Sequence, residues 1–297
     1  MLAQQLFNGL VVGGVYALFA LGFTLLFGVN HILNMAYGSV FMWAAFAGLY
    51  AITAFDAPFA VALLAGMLAG GVLSVLLDVV AFMPLRKRQA ADFATILSSI
   101  GANLVLLTLA QKVSNTQIMR FPFDAFPIVL YEVFGLRIQL LQLTIMGTAL
   151  LMVAGLVFAL YRTGFGRRIR SVAYSEGTSR LLGINPGLVN AQVFFISGAL
   201  AGLAGVLIGV AFNSVHYVMG EPFLMRAFVI IILGGLGSIP GALLAGLVIG
   251  VAQTLAYAYI SSAAAEAIAF VVLFVIILIR PTGLFGQASA VLRVQRR

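Results

Sequence analysis

The chain has 297 residues, of which 63% are hydrophobic and 8% charged, with a formal net charge of +8 and no cysteine. Soluble domains carry roughly 45–50% apolar and about 25% charged residues, so this composition belongs to a bilayer and leaves no length for a soluble catalytic or nucleotide-binding domain of about 100 residues. The missing cysteines exclude disulfides, thiolate metal sites and a cysteine nucleophile.

Met1 to Phe55 contains no Asp, Glu, Lys or Arg. As helix, that stretch would be roughly 80 Å long at about 1.5 Å per residue, enough for two crossings of a hydrocarbon core about 30 Å thick. The N-terminus lacks the basic segment of a cleavable signal, so Leu6–Val29 reads as a retained span. Tyr37–Phe55 follows after a polar interruption, Asn34 to Gly38, which is either an ordinary turn or a break at membrane depth. Further spans are expected at Ala60–Met83, Phe93–Gln111, Ile138–Tyr161, Leu188–Phe212, Ala227–Ile239, Ala242–Ile260 and Ala267–Ile279. Ala227–Ile239 and Ala267–Ile279 are short for a crossing, which needs about 20 residues. The fold class is therefore an all-α polytopic membrane protein with eight or nine crossings in one permease domain spanning residues 1–297, nine being favoured by the charge-derived topology.

Charge placement orients the chain. Twelve of the sixteen basic residues fall in three clusters: Arg86, Lys87 and Arg88; Arg162, Arg167, Arg168, Arg170 and Arg180; Arg280, Arg293, Arg296 and Arg297. These mark the cytoplasmic side and explain the positive charge without nucleic acid, giving an outside N-terminus and an inside C-terminus. Lys112, Arg120, Arg137 and Arg226 are mixed with Asp56, Asp124, Glu132, Glu221 and Glu266, as suits the outer face.

Glycines recur at three- or four-residue spacing in two spans: Gly9, Gly13, Gly14 and Gly22, then Gly198, Gly202, Gly205 and Gly209. Each set lines one helical face where backbones can meet closely, within this chain or against a partner. Between the fifth and sixth spans, a segment of about 162–187 begins Arg162-Thr-Gly-Phe-Gly-Arg-Arg-Ile-Arg170. Ile169, Val172, Ala173 and Glu176 fall at helical spacing, Gly183 offers a stop and Pro186 opposes continuation, so a short basic helix on the cytoplasmic face ends in Leu181-Leu182-Gly183. Gly234-Gly235-Leu-Gly237-Ser238-Ile-Pro240-Gly divides an apolar run and marks either a gating break or a cytoplasmic turn.

Few ionisable groups enter the spans. Asp78 lies about 12 Å of helix from Arg86 at about 1.5 Å per residue, close enough to snorkel toward or pair with the basic cluster. Arg226 opens the seventh span from outside and is either an interfacial anchor or a receiver of an anionic carboxylate. His31 and His216 have no second ligand at metal-binding spacing.

Five ordered blocks resemble the integral-membrane permeases of bacterial branched-chain amino acid ABC importers, of the subunit type that pairs with a related permease. They are Asn8-Gly9 with Gly14-Val-Tyr-Ala-Leu; Asn34-Met-Ala-Tyr37-Gly38; Arg167-Arg168-Ile-Arg170 followed by Leu181-Leu-Gly-Ile-Asn185; Leu233-Gly-Gly-Leu-Gly-Ser-Ile-Pro-Gly241; and Arg280-Pro-Thr-Gly283. Many members have histidine where this chain has Tyr37, and Tyr174 to Ser179 is more polar than the usual alanine-rich loop. The resemblance implies a non-enzymatic transport subunit in a bacterial inner membrane. It also implies cytoplasmic ATP-binding subunits, a second permease and an extracytoplasmic binding protein that delivers a small-molecule amino acid to the outer loops Lys112–Arg137 and Asn213–Arg226. Leucine, isoleucine or valine is the implied cargo, with urea, amides and other amino acids carried by relatives. In this reading the ATPases push on Arg167, Arg168, Arg170, Glu176, Arg180, Leu182 and Gly183, while Asn34, Tyr37, Gly38, Arg226, Gly234, Gly235, Gly237, Ser238 and Pro240 line or gate the path. The sequence has no Gly-x-x-x-x-Gly-Lys-Ser/Thr phosphate loop, so ATP hydrolysis belongs to another polypeptide.

Overall fold

A computed structural model describes residues 1–88, 91–122, 126–127, 129–133, 135–280 and 283–285. Asp124, Pro281, Thr282, Arg293, Arg296 and Arg297, which enter the sequence expectations, lie outside the described residues. Among those described, twelve α-helices and one short hairpin follow in order: α1 Leu2–Asn30, α2 Tyr37–Phe55, α3 Phe59–Leu77, a π-helical turn Asp78–Phe82, α4 Met83–Lys87, α5 Asp92–Ser114, β1 Leu130–Val133 and β2 Leu136–Gln139. The remainder are α6 Leu140–Arg162, α7 Gly164–Tyr174, α8 Glu176–Leu181, α9 Pro186–Ala211, α10 Gly220–Gly234, α11 Ile239–Tyr259 and α12 Ser262–Ile279.

Among the described residues, eight helices are long and apolar enough to cross a membrane, Phe59–Lys87 counting as one. Residues Ala227–Ile239, expected to form the seventh span, instead divide between the end of α10, the turn that follows it and the first residue of α11. α10 begins seven residues earlier than expected and has 15 residues, about 22 Å at 1.5 Å rise, short of a full crossing. Its charged residues are the reason for the discrepancy. Glu221 sits in the first turn, where the helix dipole favours an anion, so a charge that looked like loop belongs to the helix. The same error shortened α12: the Ser261 hydroxyl caps it by accepting from the Ala264 amide at 3.1 Å, and Glu266 lies within its 18 residues. The hairpin was not foreseen. β2 occupies the first residues of the expected fifth span, pairing Leu130 with Gln139 and Glu132 with Arg137, whose side chains form an exposed ion pair at 3.2 Å.

By contact the chain divides into two compact units, one of Met1–Thr24, Pro127–Val153 and Met225–Arg297, the other of Leu25–Phe126 and Ala154–Leu224. In the first, α1 meets α11 through small residues. A Cβ on Gly9 would stand 2.8 Å from Val251 Cα, and one on Gly13 2.9 Å from Leu247 Cα. The Gln4 carboxamide closes the hairpin onto α1 by donating to the Arg137 carbonyl and accepting from its amide, both at 2.9 Å.

In the second unit α9 is the most enclosed helix and packs on α2 and α3. A Cβ on Gly202 would strike the Gly66 carbonyl and one on Gly70 the Gly198 carbonyl, while Gly205 faces the Phe41 carbonyl. The two glycine faces marked in the sequence thus pack inside this chain at Gly9, Gly13, Gly198, Gly202 and Gly205. α5 is tied to α2 by Ser39 donating to Asn103 Oδ1 at 2.6 Å and by the Trp43 indole donating to the Leu106 carbonyl at 3.0 Å. Polar side chains inside apolar surroundings gain from such pairing, because no water competes for the donors.

Candidate functional site

The basic segment after α6 is two helices, not one. Its first corner is tight: a Cβ on Gly166 would collide with Leu160, and the Thr163 hydroxyl caps α7 by accepting from the Gly166 amide at 3.3 Å. Ser175, in extended backbone, ends α7 and caps α8. Helical spacing was correct for Ile169 and Val172, both buried, but Glu176 lies beyond the break. The reason is local: the Ser175 hydroxyl accepts from the Thr178 amide, offering the backbone a cap where the helix would otherwise continue. Gly183, at φ 75, stops α8 as its sequence position suggests, and Asn185 caps α9 by accepting from the Gly187 amide at 3.0 Å.

The arginines of this segment are not equivalent. Arg170 donates to the Leu160 carbonyl and lies 5.7 Å from the Tyr161 ring centroid, so it braces the α6–α7 corner. Arg167 and Arg168 are exposed on α7, and Leu181 and Leu182 are exposed to 89% and 69% beside Arg180, which pairs with Glu176 at 3.8 Å. Glu176 also accepts from the Asn190 amide at 3.4 Å, joining α8 to α9, a link that no spacing in the sequence revealed.

The interruption between α1 and α2 is largely buried beyond His31. His31 has φ 54, the Asn34 side chain accepts from the Ala36 amide at 2.9 Å, and Asn34, Ala36 and Tyr37 are fully buried. Ser99 on α5 receives the Met35 amide at 3.1 Å, satisfying a donor that the break frees. The Tyr37 hydroxyl donates to the Ser197 carbonyl of α9 at 2.9 Å, and Gly38 meets Gly220, where a Cβ would stand 2.7 Å from the carbonyl oxygen.

Asp78 opens the π-helical turn and pairs with Arg86, the arrangement that its spacing suggested. Arg86 also donates to Asn30 Oδ1 at 3.0 Å and stands 5.9 Å from the Phe194 ring centroid. The glycine-proline element is a tight turn: Gly235 and Gly237 take φ 98 and 81, and the Ser238 hydroxyl caps α11 by accepting from the Gly241 amide at 3.2 Å. Pro240 occupies the first turn of α11, where its missing N–H costs nothing. The Leu284 and Phe285 amides donate to the Leu233 and Gly234 carbonyls at 2.8 and 3.1 Å, so backbone from beyond α12 covers this turn. Arg226 lies within α10, not at its start, with its guanidinium 5.5 Å from the Tyr16 ring centroid.

The loops expected at the outer face join through paired bonds between Met119 and Val215 at 2.9 Å and through Phe121 N–H donating to Asn213 Oδ1 at 2.8 Å. Beside them, burial lowers the His216 imidazole below its ordinary value of 6.5. The unfolded chain therefore takes up that proton first, and stability falls as pH drops through about 6.5. His216→Asn is expected to lessen the drop in melting temperature between pH 7.5 and 5.5, read by fluorescence-detected size exclusion after heating.

Comparison with known proteins gives consistent results. A family model described as branched-chain amino acid transport system / permease component matches residues 5–279. The high-affinity branched-chain amino acid transport system permease protein LivH of Salmonella typhimurium is 32% identical over 296 residues, covering 96% of this chain and 95% of that protein. BraD of Pseudomonas aeruginosa, a permease protein of the same description, is 32% identical over 295 residues with the same coverages. In fold, the chain resembles a solved structure titled PsaBC from Streptococcus pneumoniae in complex with Fab, at TM-score 0.50 and 14% identity, covering 94% of this chain and 92% of that one. Agreement along nearly the whole length, in proteins from different bacteria, is the mark of common descent, and the chain belongs to the family of branched-chain amino acid transport system permease components.

Proposed function

We propose that this chain is the membrane-spanning permease of an ATP-driven importer. With a related permease it forms the path by which branched-chain or similar amino acids, delivered by an extracytoplasmic binding protein, enter a bacterial cell. The observation that carries this reading is the full-length family match in a chain without a phosphate loop, which supports a separate ATPase. An ion-coupled transporter would present several buried carboxylates near the midplane of its spans. Among the described side chains, Asp78 is the only buried carboxylate, and Arg86 neutralises it. The basic clusters favour an outside N-terminus and a cytoplasmic C-terminus, an orientation that requires α10 and the turn after it to carry the chain across once more beside the eight long helices.

In this mechanism the ATPase dimer grips α7 and α8. Leu181 and Leu182 are exposed apolar side chains outside the spans, next to Arg180 in the chain, and a partner surface would cover them. The push passes to α9 through Glu176 and Asn190, and through Ser197 and Tyr37 to the break at Asn34–Gly38. Arg167→Gln with Arg168→Gln is expected to lower ATPase stimulation by the loaded binding protein at least about fivefold, about 1 kcal/mol of coupling, without loss of membrane insertion. Normal stimulation in an assembled double variant would remove α7 as the contact.

The reading itself is tested in proteoliposomes. Leucine accumulates when the chain, its sister permease, the ATPases, ATP and the binding protein are all present, and not with the chain alone. Accumulation by the chain alone would overturn it.

A further inference from the structure

We propose that Tyr16, Arg226 and Gln253, with Tyr257 at the mouth, form a subsite for the charged groups of the transported amino acid, the carboxylate facing Arg226 and the ammonium donating to Gln253 Oε1. The inference rests on the amino-acid import reading above and assigns the recognition to four residues of one compact unit.

Helix register and side-chain direction together bring Tyr16 toward the stretch of α11 that carries Gln253 and Tyr257. α1 and α11 run antiparallel, with Gly9 against Val251 and Thr254, Gly13 against Leu247, and Gly246 against Ala17. A helical side chain leans toward the N-terminus of its helix, so Tyr16 reaches back from the level of Leu247 toward later residues of α11. There it comes within electrostatic range of both Tyr257 and Arg226. Gln253 precedes Tyr257 by four residues and so shares its face of α11, one turn deeper. Tyr257 is half-exposed and Gln253 is 1% exposed, so the cluster runs from an open edge to an enclosed end.

The chemistry of the two ends differs. The Arg226 guanidinium is held 5.5 Å from the centre of the Tyr16 ring, and its planar donors suit a carboxylate. Gln253 Oε1 is buried without a hydrogen-bond donor. A buried acceptor left unsatisfied is costly, and a carboxylate cannot satisfy it, whereas an ammonium brings three donors. A cation-facing end and a donor-seeking end together describe a zwitterion, and a simple acid or a simple amine would satisfy only one.

The chain has no cysteine, so Tyr257→Cys in the assembled complex gives one maleimide site on this subunit, at a half-exposed position. Labelling is followed with L-leucine, with 4-methylpentanoate, which lacks the ammonium, and with 3-methylbutylamine, which lacks the carboxylate. L-leucine alone is expected to slow labelling. The concentration needed should rise about tenfold or more in Gln253→Leu and in Arg226→Met, each lacking one charge-assisted bond. Gln253→Glu keeps an acceptor and should retain protection, which separates loss of the site from loss of the fold. Three results would overturn the subsite: no protection by leucine, equal protection by either analogue, or wild-type protection in Gln253→Leu. An ordered water satisfying Gln253 would give the last of these. Leucine uptake by the cysteine-free complex is measured in parallel. Uptake without protection refutes only the subsite, and absence of uptake refutes the import reading.

Discussion

Exchanging Gly202 for valine should abolish assembly of the permease. Helix α9 touches α3 with backbone against backbone, and a Cβ at Gly202 would collide with the Gly66 carbonyl oxygen. Neither atom belongs to a flexible side chain, so the strain can be relieved only by separating two helices along their length. Overpacking a core costs about 1–3 kcal/mol when side chains can yield, and the cost here exceeds about 3 kcal/mol because only backbone is available to move. In the membrane no hydrophobic force restores a loosened helix pair, since lipid solvates the exposed faces as well as protein does. Gly155→Ala is the control: no described atom lies within 4 Å of a Cβ there, so the helix loses only glycine's excess backbone entropy. The measurement is the monodisperse fraction in detergent after mild heating. A normal profile for Gly202→Val would mean that α3 and α9 are not held by this contact.

The second large effect concerns Arg86. Its side chain is 24% exposed, and that of its partner Asp78 4%. Removing one member of a buried pair leaves an uncompensated charge, a loss of about 3–5 kcal/mol, toward the lower figure here because the guanidinium is partly exposed. Arg86→Met also takes a donor from Asn30 and the cation from the Phe194 ring, so three elements loosen at once. Adding Asp78→Asn should recover much of the loss, because the orphaned charge disappears. With Asp78→Asn alone as the third variant, these form a double-mutant cycle read by thermal inactivation of the complex. If Arg86→Met alone proved neutral, or Asp78→Asn gave no rescue, the ion pair would not be what fastens the π-helical turn.

Both effects occur at positions that the sequence flagged for other reasons. Gly202 belongs to an evident glycine face, yet the spacing that marks a face as a close-packing surface is silent on what packs there. Asp78 and Arg86 were a plausible pair by helical distance, and the π-helical turn between them was invisible because an extra residue in a turn leaves no mark in composition. Tyr37 was singled out by its motif, while its bond to Ser197 joins residues 160 apart in the chain.

Charge and apolar run length were enough to establish a polytopic helical membrane protein, because a bilayer imposes the same requirement on every crossing: about 20 residues whose backbone groups are satisfied within the helix. Ordered motifs placed the chain in its family for a similar reason, since turns, caps and close contacts demand particular residue types at particular places. Local chemistry also set the positive-φ glycines and the Ser and Asn caps. The bounds of α10 and α12, the division of the basic segment at Ser175 and the bracing role of Arg170 were decided by tertiary structure. So was the approach of Arg226 to the Tyr16 ring. A polar residue within an apolar helix carries no sign of its partner, because that partner is chosen by the register of a distant helix and not by its neighbours in the chain.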